Sequence, residues 1–235
     1  MLIVGIIIIA VGSLFLWLAK KQKQSSQAMQ QQKAVPTNQL QAGALAEVQG
    51  TVVASSPLKT PFSNRDCVYY EFEVEKEVRR RGRDANGRPT METDWETVEQ
   101  DEKKIPFFIK DSAGKVAVNP EGATIEPKDL GEQHFRRGER FNHDFLRNIL
   151  SNISDTNTRV TEKALFVGEP AYVFGHVSEG AQGLEFSKQG KNFLISYKSE
   201  EQVEKSTARS ATAMKIFGYI GLVVGIILAI YSFAA

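Results

Sequence analysis

The pattern of hydrophobic and polar positions divides the chain into two apolar ends and a mixed middle. Residues 1–18 and 216–235 contain no charged side chain. As a helix, an apolar run of this length spans about 27–30 Å, which is close to the hydrocarbon thickness of a bilayer. A helix that is apolar on every side has no place on the surface of a soluble domain. We therefore predict two transmembrane helices, one at each end.

The first apolar block also fits the core of a secretory signal peptide. A signal peptide carries positive charge before that core and small residues at a cleavage site after it. In this chain the lysines follow the block, beginning at Lys20, and Trp17 lies where an interfacial aromatic residue is expected. The pattern favours an uncleaved anchor.

Basic residues flank the inner end of each apolar block. Because positive residues near the ends of a span are retained in the cytoplasm, we expect the middle of the chain to be cytoplasmic. The extracytoplasmic side stays open as the alternative, since a long connection can cross with little regard to its charge. The basic residues are Lys20, Lys21, Lys23, Lys33, Lys205, Arg209 and Lys215.

Two polar segments connect the apolar blocks to the middle of the chain. Residues 19–43 are rich in Gln, Ser and Lys and offer little to bury, so we interpret them as a linker. Residues 199–215 lack Gly and Pro, and we interpret them as a polar helical connector that leads into the second span.

Strand patterns dominate residues 44–198, which are long enough for one domain. The clearest strand, over residues 67–78, places apolar residues from Val68 to Val78 on one face and glutamates on the other. This pattern is typical of an antiparallel sheet that is wet on one side. Residues 139–150 instead space their apolar side chains as an amphipathic helix does.

These elements predict a mainly β (α+β) domain. We expect an antiparallel sheet or a partly closed barrel with one or two helices, bracketed by the two transmembrane helices. Asn86-Gly87 predicts a tight turn in a hairpin. Residues 184–186 and 192–197 predict a final hairpin around Gly190.

Composition narrows the classes of function. A net charge of +1 does not suggest a nucleic-acid partner, because such domains are strongly basic over a whole face. The chain has one cysteine and three histidines, and none follows a known metal motif. We therefore expect no metal, no cofactor and no catalytic residue. The alternative is a hydrolase assembled from dispersed residues, with His143 or His176 beside a carboxylate.

A cluster of arginines is the one local anomaly of charge. It is either a solvated hairpin tip that balances the neighbouring glutamates, or a contact with lipid phosphates or an acidic partner. Its members are Arg79, Arg80, Arg81, Arg83 and Arg88.

Two groups of motifs occur in order along the domain. The first comprises Val48-Gln-Gly-Thr-Val52, Ser56-Pro-Leu58, Pro61-Phe62 and Cys67-Val-Tyr-Tyr70. The second is Glu162-x-x-Leu165-x-x-Gly168-Glu-x-x-Tyr172-Val-Phe-Gly175. Together they resemble the GIDE family, also described as the "beside a membrane" (BAM) domain. Two spans that bracket one such domain are also similar to the family's mitochondrial E3 ubiquitin ligases.

The resemblance implies a ligand- or partner-binding role for nine motif positions. They are Pro57, Leu58, Pro61, Cys67, Tyr69, Tyr70, Gly168, Tyr172 and Gly175. The ligases of the family also carry a C-terminal RING, a zinc domain that needs about eight Cys and His ligands. This chain ends after its second apolar block and has one cysteine. We therefore expect no RING and no ubiquitin-ligase activity.

The function that we expect is a membrane-tethered, non-enzymatic interaction or sensing module beside the bilayer, acting on an unknown protein or ligand. An anchoring subunit of a membrane complex is a further alternative. Gly218, Gly221 and Gly225 would let the second span pack closely against another helix, so self-association through this span is also open.

Overall fold

The computed structural model describes most of the chain between the two ends. The described residues are 7–8, 10–18, 20, 34–83, 87–138, 156–181, 183–189, 192–198, 216, 218–222, 224–225 and 228. The helix predicted over residues 139–150 and the connector predicted over residues 199–215 lie outside them.

The described middle of the chain is built from β-strands, as the sequence predicts, with one short 3-10 helix at Thr37–Gln39. The strands are β1 (Leu45–Val53), β2 (Leu58–Lys59), β3 (Asp66–Arg83), β4 (Pro89–Lys104), β5 (Phe107–Lys110), β6 (Lys115–Val118), β7 (Thr124–Glu126), β8 (Lys128–Phe135), β9 (Thr158–Phe166), β10 (Pro170–Gly180), β11 (Gly183–Ser187) and β12 (Leu194–Ser196).

Five of these strands close into a barrel. Their order around the barrel is β1-β5-β6-β11-β10, and β10 pairs with β1 to complete the ring. Every pair in the ring is antiparallel except β6 with β11. Counted in chain order, the barrel strands follow the path 1-2-3-5-4, with the third and fifth parallel. This is the connectivity of an OB-fold, a small Greek-key barrel.

The core of the barrel consists of side chains from alternate strand positions, because successive residues of a strand point to opposite faces. Val48 and Val52 of β1 point inward, as do Ile109 of β5 and Phe186 of β11, and all are buried. Gly50 lies between the two valines where β1 meets β5. A Cβ atom there would lie 2.5 Å from the Lys110 carbonyl oxygen, so only glycine permits this approach.

Strands β12 and β7 extend the sheet beyond the barrel. β12 pairs with the edge of β10 that faces away from β1, and β7 pairs with β12. The hairpin predicted around Gly190 is wrong, because β11 and β12 do not pair with each other. Each pairs instead with its own stretch of β10, and β12 then pairs in parallel with β7. Two short strands close in sequence are thus aligned along one longer strand.

A second sheet forms around β3, which pairs with β2, β4 and β9, while β8 pairs with β9. Tyr70, Phe72 and Val74 face a separate core with Phe166, as the alternation in the sequence predicts. Val68 does not share that face, because a register shift between Cys67 and Tyr69 turns it into the barrel core. β3 therefore connects the two cores.

Beyond the second sheet, β3 and β4 continue as a two-stranded arm. β9 pairs with β3 only as far as Lys76, whereas β4 pairs with it to Arg83. We call residues 78–83 and 87–94 the β arm. Gly87 has φ +78, and the rest of the turn predicted from Asn86-Gly87 lies outside the described residues.

Part of the segment predicted as a linker packs on the barrel. Leu40 is buried in the barrel core and Thr37 is 8% exposed. The Asp111 carboxylate accepts hydrogen bonds of 2.8 Å from the backbone N–H and the hydroxyl of Thr37. Partial burial works to raise the pKa of Asp111, but these hydrogen bonds outweigh it and lower the pKa. The part of the predicted linker from Val35 to Leu40 thus belongs to the folded domain.

Helical residues from the two ends of the chain lie against each other. A Cβ on Gly12 would lie 3.0 Å from the Gly218 carbonyl oxygen, and one on Gly221 would lie 3.3 Å from the Gly12 Cα. Gly218 also contacts Leu16, so the two segments run antiparallel. Among the described residues, no helix is both long and apolar enough to cross a membrane. The two spans stay a prediction.

Candidate functional site

The Pro61-Phe62 part of the first motif group lies in a loop that is held against the second sheet. Glu162 of β9 is 4% exposed, and its carboxylate accepts hydrogen bonds from the backbone N–H groups of Phe62 (2.8 Å) and Ser63 (3.0 Å). The Phe62 ring meets Phe72 edge to face, with centroids 5.3 Å apart. Glu162 therefore joins the two motifs that the sequence sets about one hundred residues apart.

Other residues of this motif divide between the core and the surface. Leu58 packs on the second core, Pro61 is half-buried and Pro57 is exposed. Cys67 is fully buried in the same core. Burial raises the pKa of its thiol to about 12, and the nearby carboxylate of Glu162 adds to the shift. A thiol in this state is a structural group, since only a thiolate is a good nucleophile.

The two neighbouring tyrosines of the motif point to different cores. Tyr70 belongs to the second core and stacks on Phe72, with ring centroids 6.3 Å apart. Tyr69 belongs to the barrel core, and its hydroxyl donates to Glu71 at 2.7 Å. Burial is the main cause that raises the pKa of both tyrosines.

The second family motif shapes β10 and the turn that precedes it. Gly168 has φ +82 in the turn between β9 and β10, a conformation that glycine adopts without strain. A Cβ on Gly175 would lie 2.7 Å from the Phe193 ring, so glycine makes room for that ring in the barrel core. Both glycines thus have structural roles.

Tyr172 points away from the barrel core and forms a buried polar pair. Its hydroxyl donates to the Glu47 carboxylate at 2.9 Å. Tyr172 is 1% exposed and Glu47 is 0% exposed, although both occupy outward positions of β10 and β1. The sequence analysis missed Glu47, because strand alternation places it on the outer face and nothing in its neighbours indicates that this face is covered.

The outer face of the second sheet carries charged side chains in pairs. The Arg159 guanidinium bonds to the Glu75 carboxylate and lies 4.7 Å from the centre of the Trp95 ring. Lys163 donates to Glu71 at 2.8 Å. Partial burial favours a higher pKa for Glu71, but the hydrogen bonds from Lys163 and Tyr69 outweigh it and lower the pKa. A groove of about 490 Å³ runs beside Glu71 and Lys163.

The arginine cluster lies on the β arm, and the arm has two unlike faces. Side chains directly opposite in an antiparallel pair share a face. One face, which we call the arginine face, has Arg79 opposite Thr93, Arg81 opposite Met91 and Arg83 opposite Pro89. The other face, which we call the paired face, has Arg80 opposite Glu92 and Val78 opposite Asp94.

The acidic residues described on the arm, Glu92 and Asp94, offset arginine charge only on the paired face. Arg80 lies 3.6 Å from the Asp94 carboxylate, and the Glu92 carboxylate lies over Gly82. Within the described part of the chain, no carboxylate forms an ion pair with Arg79, Arg81 or Arg83, and all three are exposed. Neighbouring residues of β3 therefore point to two faces, one where Arg80 lies among carboxylates and one where the arginines have no ion pair with a described residue.

Comparison with known protein families identifies the family of this chain. The family model GIDE, described as "E3 Ubiquitin ligase", matches residues 75–230. The chain belongs to the GIDE family. The GIDE match begins at Glu75, within β3. It includes the second half of β3, the β arm and strands β4 to β12. No curated protein and no solved structure matches the chain.

The nine positions that the resemblance singled out do not form one pocket, and those from Pro57 to Tyr70 precede the matched residues 75–230. Leu58, Cys67 and Tyr70 meet in the second core, whereas Gly168, Tyr172 and Gly175 lie on or next to β10. The ligand-binding role that the resemblance implied for them stays a prediction. The arginines, in contrast, are brought together on one element, with Arg88 beside the turn of the β arm.

The two histidines that the structure describes, His134 and His176, lie on different strands. His176 lies on β10 across from Leu45 of β1 and Ser187 of β11. His134 of β8 lies 3.3 Å from Glu132 and meets the Trp95 ring edge to face. His143 lies outside the described residues. In the part of the chain that the structure covers, no group of His, Cys, Asp and Glu is placed to hold a metal ion.

Proposed function

We propose that this GIDE protein is a membrane-tethered, non-enzymatic module that contacts a partner beside the bilayer through its β arm. The observation that supports this proposal is the arm itself. Residues 78–83 and 87–94 extend past the last strand that pairs with β3. None of them belongs to the buried cores of the described residues.

A two-stranded hairpin with no core of its own is marginally stable in water. The β arm nevertheless keeps an uninterrupted ladder of cross-strand pairs from Val78 to Arg83. A projection of this kind adds little to the stability of the domain and increases the surface that the domain presents. Its use is therefore best explained by contact with another surface.

The proposed tether rests on the two apolar ends of the chain. Both ends are free of charge over residues 1–18 and 216–235. Their helical residues also pack antiparallel through Gly12 and Gly221, and close packing through small residues is common between helices in membranes. This contact gives Gly218 and Gly221 of the second apolar block a partner within the same chain.

Trypsin gives a direct test of the β arm, because it cleaves after arginine. In detergent, we expect rapid cleavage at Arg79, Arg81 and Arg83. In permeabilised native membranes, we expect the arm to be protected while cleavage at exposed Lys188 continues. Equal cleavage of the arm in both preparations would contradict a contact through it.

We also propose that the chain has no ubiquitin-ligase activity of its own. A RING needs about eight Cys and His ligands for its two zinc ions, and the chain has one cysteine and three histidines. The purified full chain, mixed with E1, a panel of E2 enzymes, ubiquitin and ATP, should give no ubiquitin conjugates. Conjugates that require the chain would overturn this part of the proposal.

A further inference from the structure

We propose that the arginine face of the β arm docks on the anionic surface of the bilayer in which the chain is anchored. The inference rests on the proposed function and names the partner of the β arm. It follows from the unequal distribution of charge over the two faces of the arm.

The arginine face has the charge that such a surface attracts. Arg79, Arg81 and Arg83 occupy alternate positions of β3, so their side chains leave the strand about 6.8 Å apart on one side. All of the acidic residues of β4 in the arm, Glu92 and Asp94, lie on the opposite face. Among the described residues, the arm therefore presents a line of three guanidinium groups without an ion-paired carboxylate.

The arginine face also carries an apolar residue at its centre. Met91 lies directly opposite Arg81 and is 61% exposed. Guanidinium groups around a flexible apolar side chain suit a lipid surface, where phosphates lie above hydrocarbon. None of the residues described on this face is aromatic, so they offer a nucleic-acid base no ring on which to stack. Its chemistry thus favours lipid over nucleic acid.

Anchoring makes this weak contact effective. An arginine near an anionic leaflet favours docking by about fivefold, so three together favour it on the order of a hundredfold. A tethered domain meets its own bilayer at a high effective concentration, and no further affinity is needed. Docking of this kind holds the arm in one orientation without a pocket.

The experiment uses the full chain in nanodiscs of phosphatidylcholine alone or with 30% phosphatidylglycerol. A nitroxide is attached at Thr93→Cys, which lies on the arginine face opposite Arg79. Native Cys67 does not interfere, because it is fully buried. Collision with oxygen and with a water-soluble nickel complex reports whether the label faces lipid or water.

We expect the label to be protected from nickel on the anionic discs and accessible on the neutral discs. Arg81→Gln should reduce the docked-to-undocked ratio about fivefold. Arg80→Gln is the matched control, because it removes the same charge from the adjacent residue on the paired face and should have little effect. High salt should release the arm.

Three results would overturn the inference. The first is a label that faces water equally on both compositions, and the second is an equal effect of the Arg81 and Arg80 variants. The third is a water-exposed label on anionic discs together with binding of a polyglutamate peptide, which would assign the face to an acidic protein. Failure of the chain to enter nanodiscs would instead reject the tether, and with it the proposed function.

Discussion

At the scale of single residues, buried carboxylates determine how the family motifs are held together. Glu162 accepts two backbone hydrogen bonds from the loop of Phe62 and Ser63. We predict that Glu162→Gln lowers the free energy of unfolding by about 2–3 kcal/mol, because an amide group cannot accept both bonds and leaves a buried donor unpaired.

Urea unfolding of the full chain in detergent micelles, followed by far-UV circular dichroism, measures this loss. Glu132→Gln is the control, since its carboxylate lies on the exposed part of β8 and should change stability by less than about 0.5 kcal/mol. Equal effects of the two substitutions would show that Glu162 does not hold the loop.

A second carboxylate makes stability depend on pH. Glu169 bonds to Arg65 at 2.7 Å and to Lys128 at 2.9 Å. Partial burial favours a higher pKa for Glu169, but the two cations outweigh it and lower the pKa below its ordinary 4.5. A lowered pKa means that this contribution to stability is complete above the ordinary value and is lost as the pH falls through the lowered one.

We therefore predict that Glu169→Gln is less stable than the natural chain at pH 7, by about 0.5–1 kcal/mol. The difference should shrink as the pH falls from 4.5 through the lowered pKa, because the natural carboxylate becomes protonated over that range. Unfolding midpoints from pH 7 to pH 3 measure it. A difference that grows toward low pH would contradict the assigned ion pairs.

At the scale of elements, the β arm should be separable from the domain that carries it. We predict that replacing residues 78–94 with Asn-Gly leaves the melting temperature of the chain within about 2 °C, because the arm contributes no residue to either buried core. Differential scanning calorimetry in micelles is the measurement. A fall of 5 °C or more would mean that the arm supports the second sheet.

Individual strands could be predicted from the sequence, whereas most of their pairing could not. The alternation of Tyr70, Phe72 and Val74 with glutamates identified β3, because a strand with one buried face has a period of two. A partly closed barrel was one of two predicted arrangements, and full closure was not predicted, because it depends on the pairing of β1 with β10, which are distant in sequence. The false hairpin around Gly190 has the same origin, since short strands were paired by proximity.

Candidate residues were predicted unevenly for similar reasons. The arginines stand out because charge of one sign within a few residues is visible in the sequence. Their division into two faces depends on the register that places Glu92 opposite Arg80. Glu47 was not predicted, because an isolated acid in a strand is exposed unless distant residues cover it.

At the scale of the whole molecule, the two ends of the chain form a single packing unit. We predict that Gly12→Ile separates them, because a β-branched side chain does not fit 3.0 Å from the Gly218 carbonyl oxygen. Spin labels at Trp17→Cys and Tyr219→Cys, both exposed positions, should give a longer distance by double electron–electron resonance in that variant.

Val11→Ile is the matched control, since Val11 is 46% exposed and should leave the distance unchanged. Dilution with unlabelled chain should also leave it unchanged if the contact is within one chain. A distance that is lost on dilution would assign the glycine contact to self-association instead.

Closure of the barrel also has a consequence for folding during translation, because β1 is synthesised well before its partner β10. The Glu47–Tyr172 pair, which lies where β1 meets β10, joins residues 125 positions apart. At about 5–20 residues per second, a ribosome needs roughly 6–25 s to deliver β10 after β1. During that interval the core valines of β1 lack the β10 side chains against which they pack in the folded barrel. We therefore expect β1 to be prone to aggregation until β10 arrives, unless β5 or a chaperone covers it first.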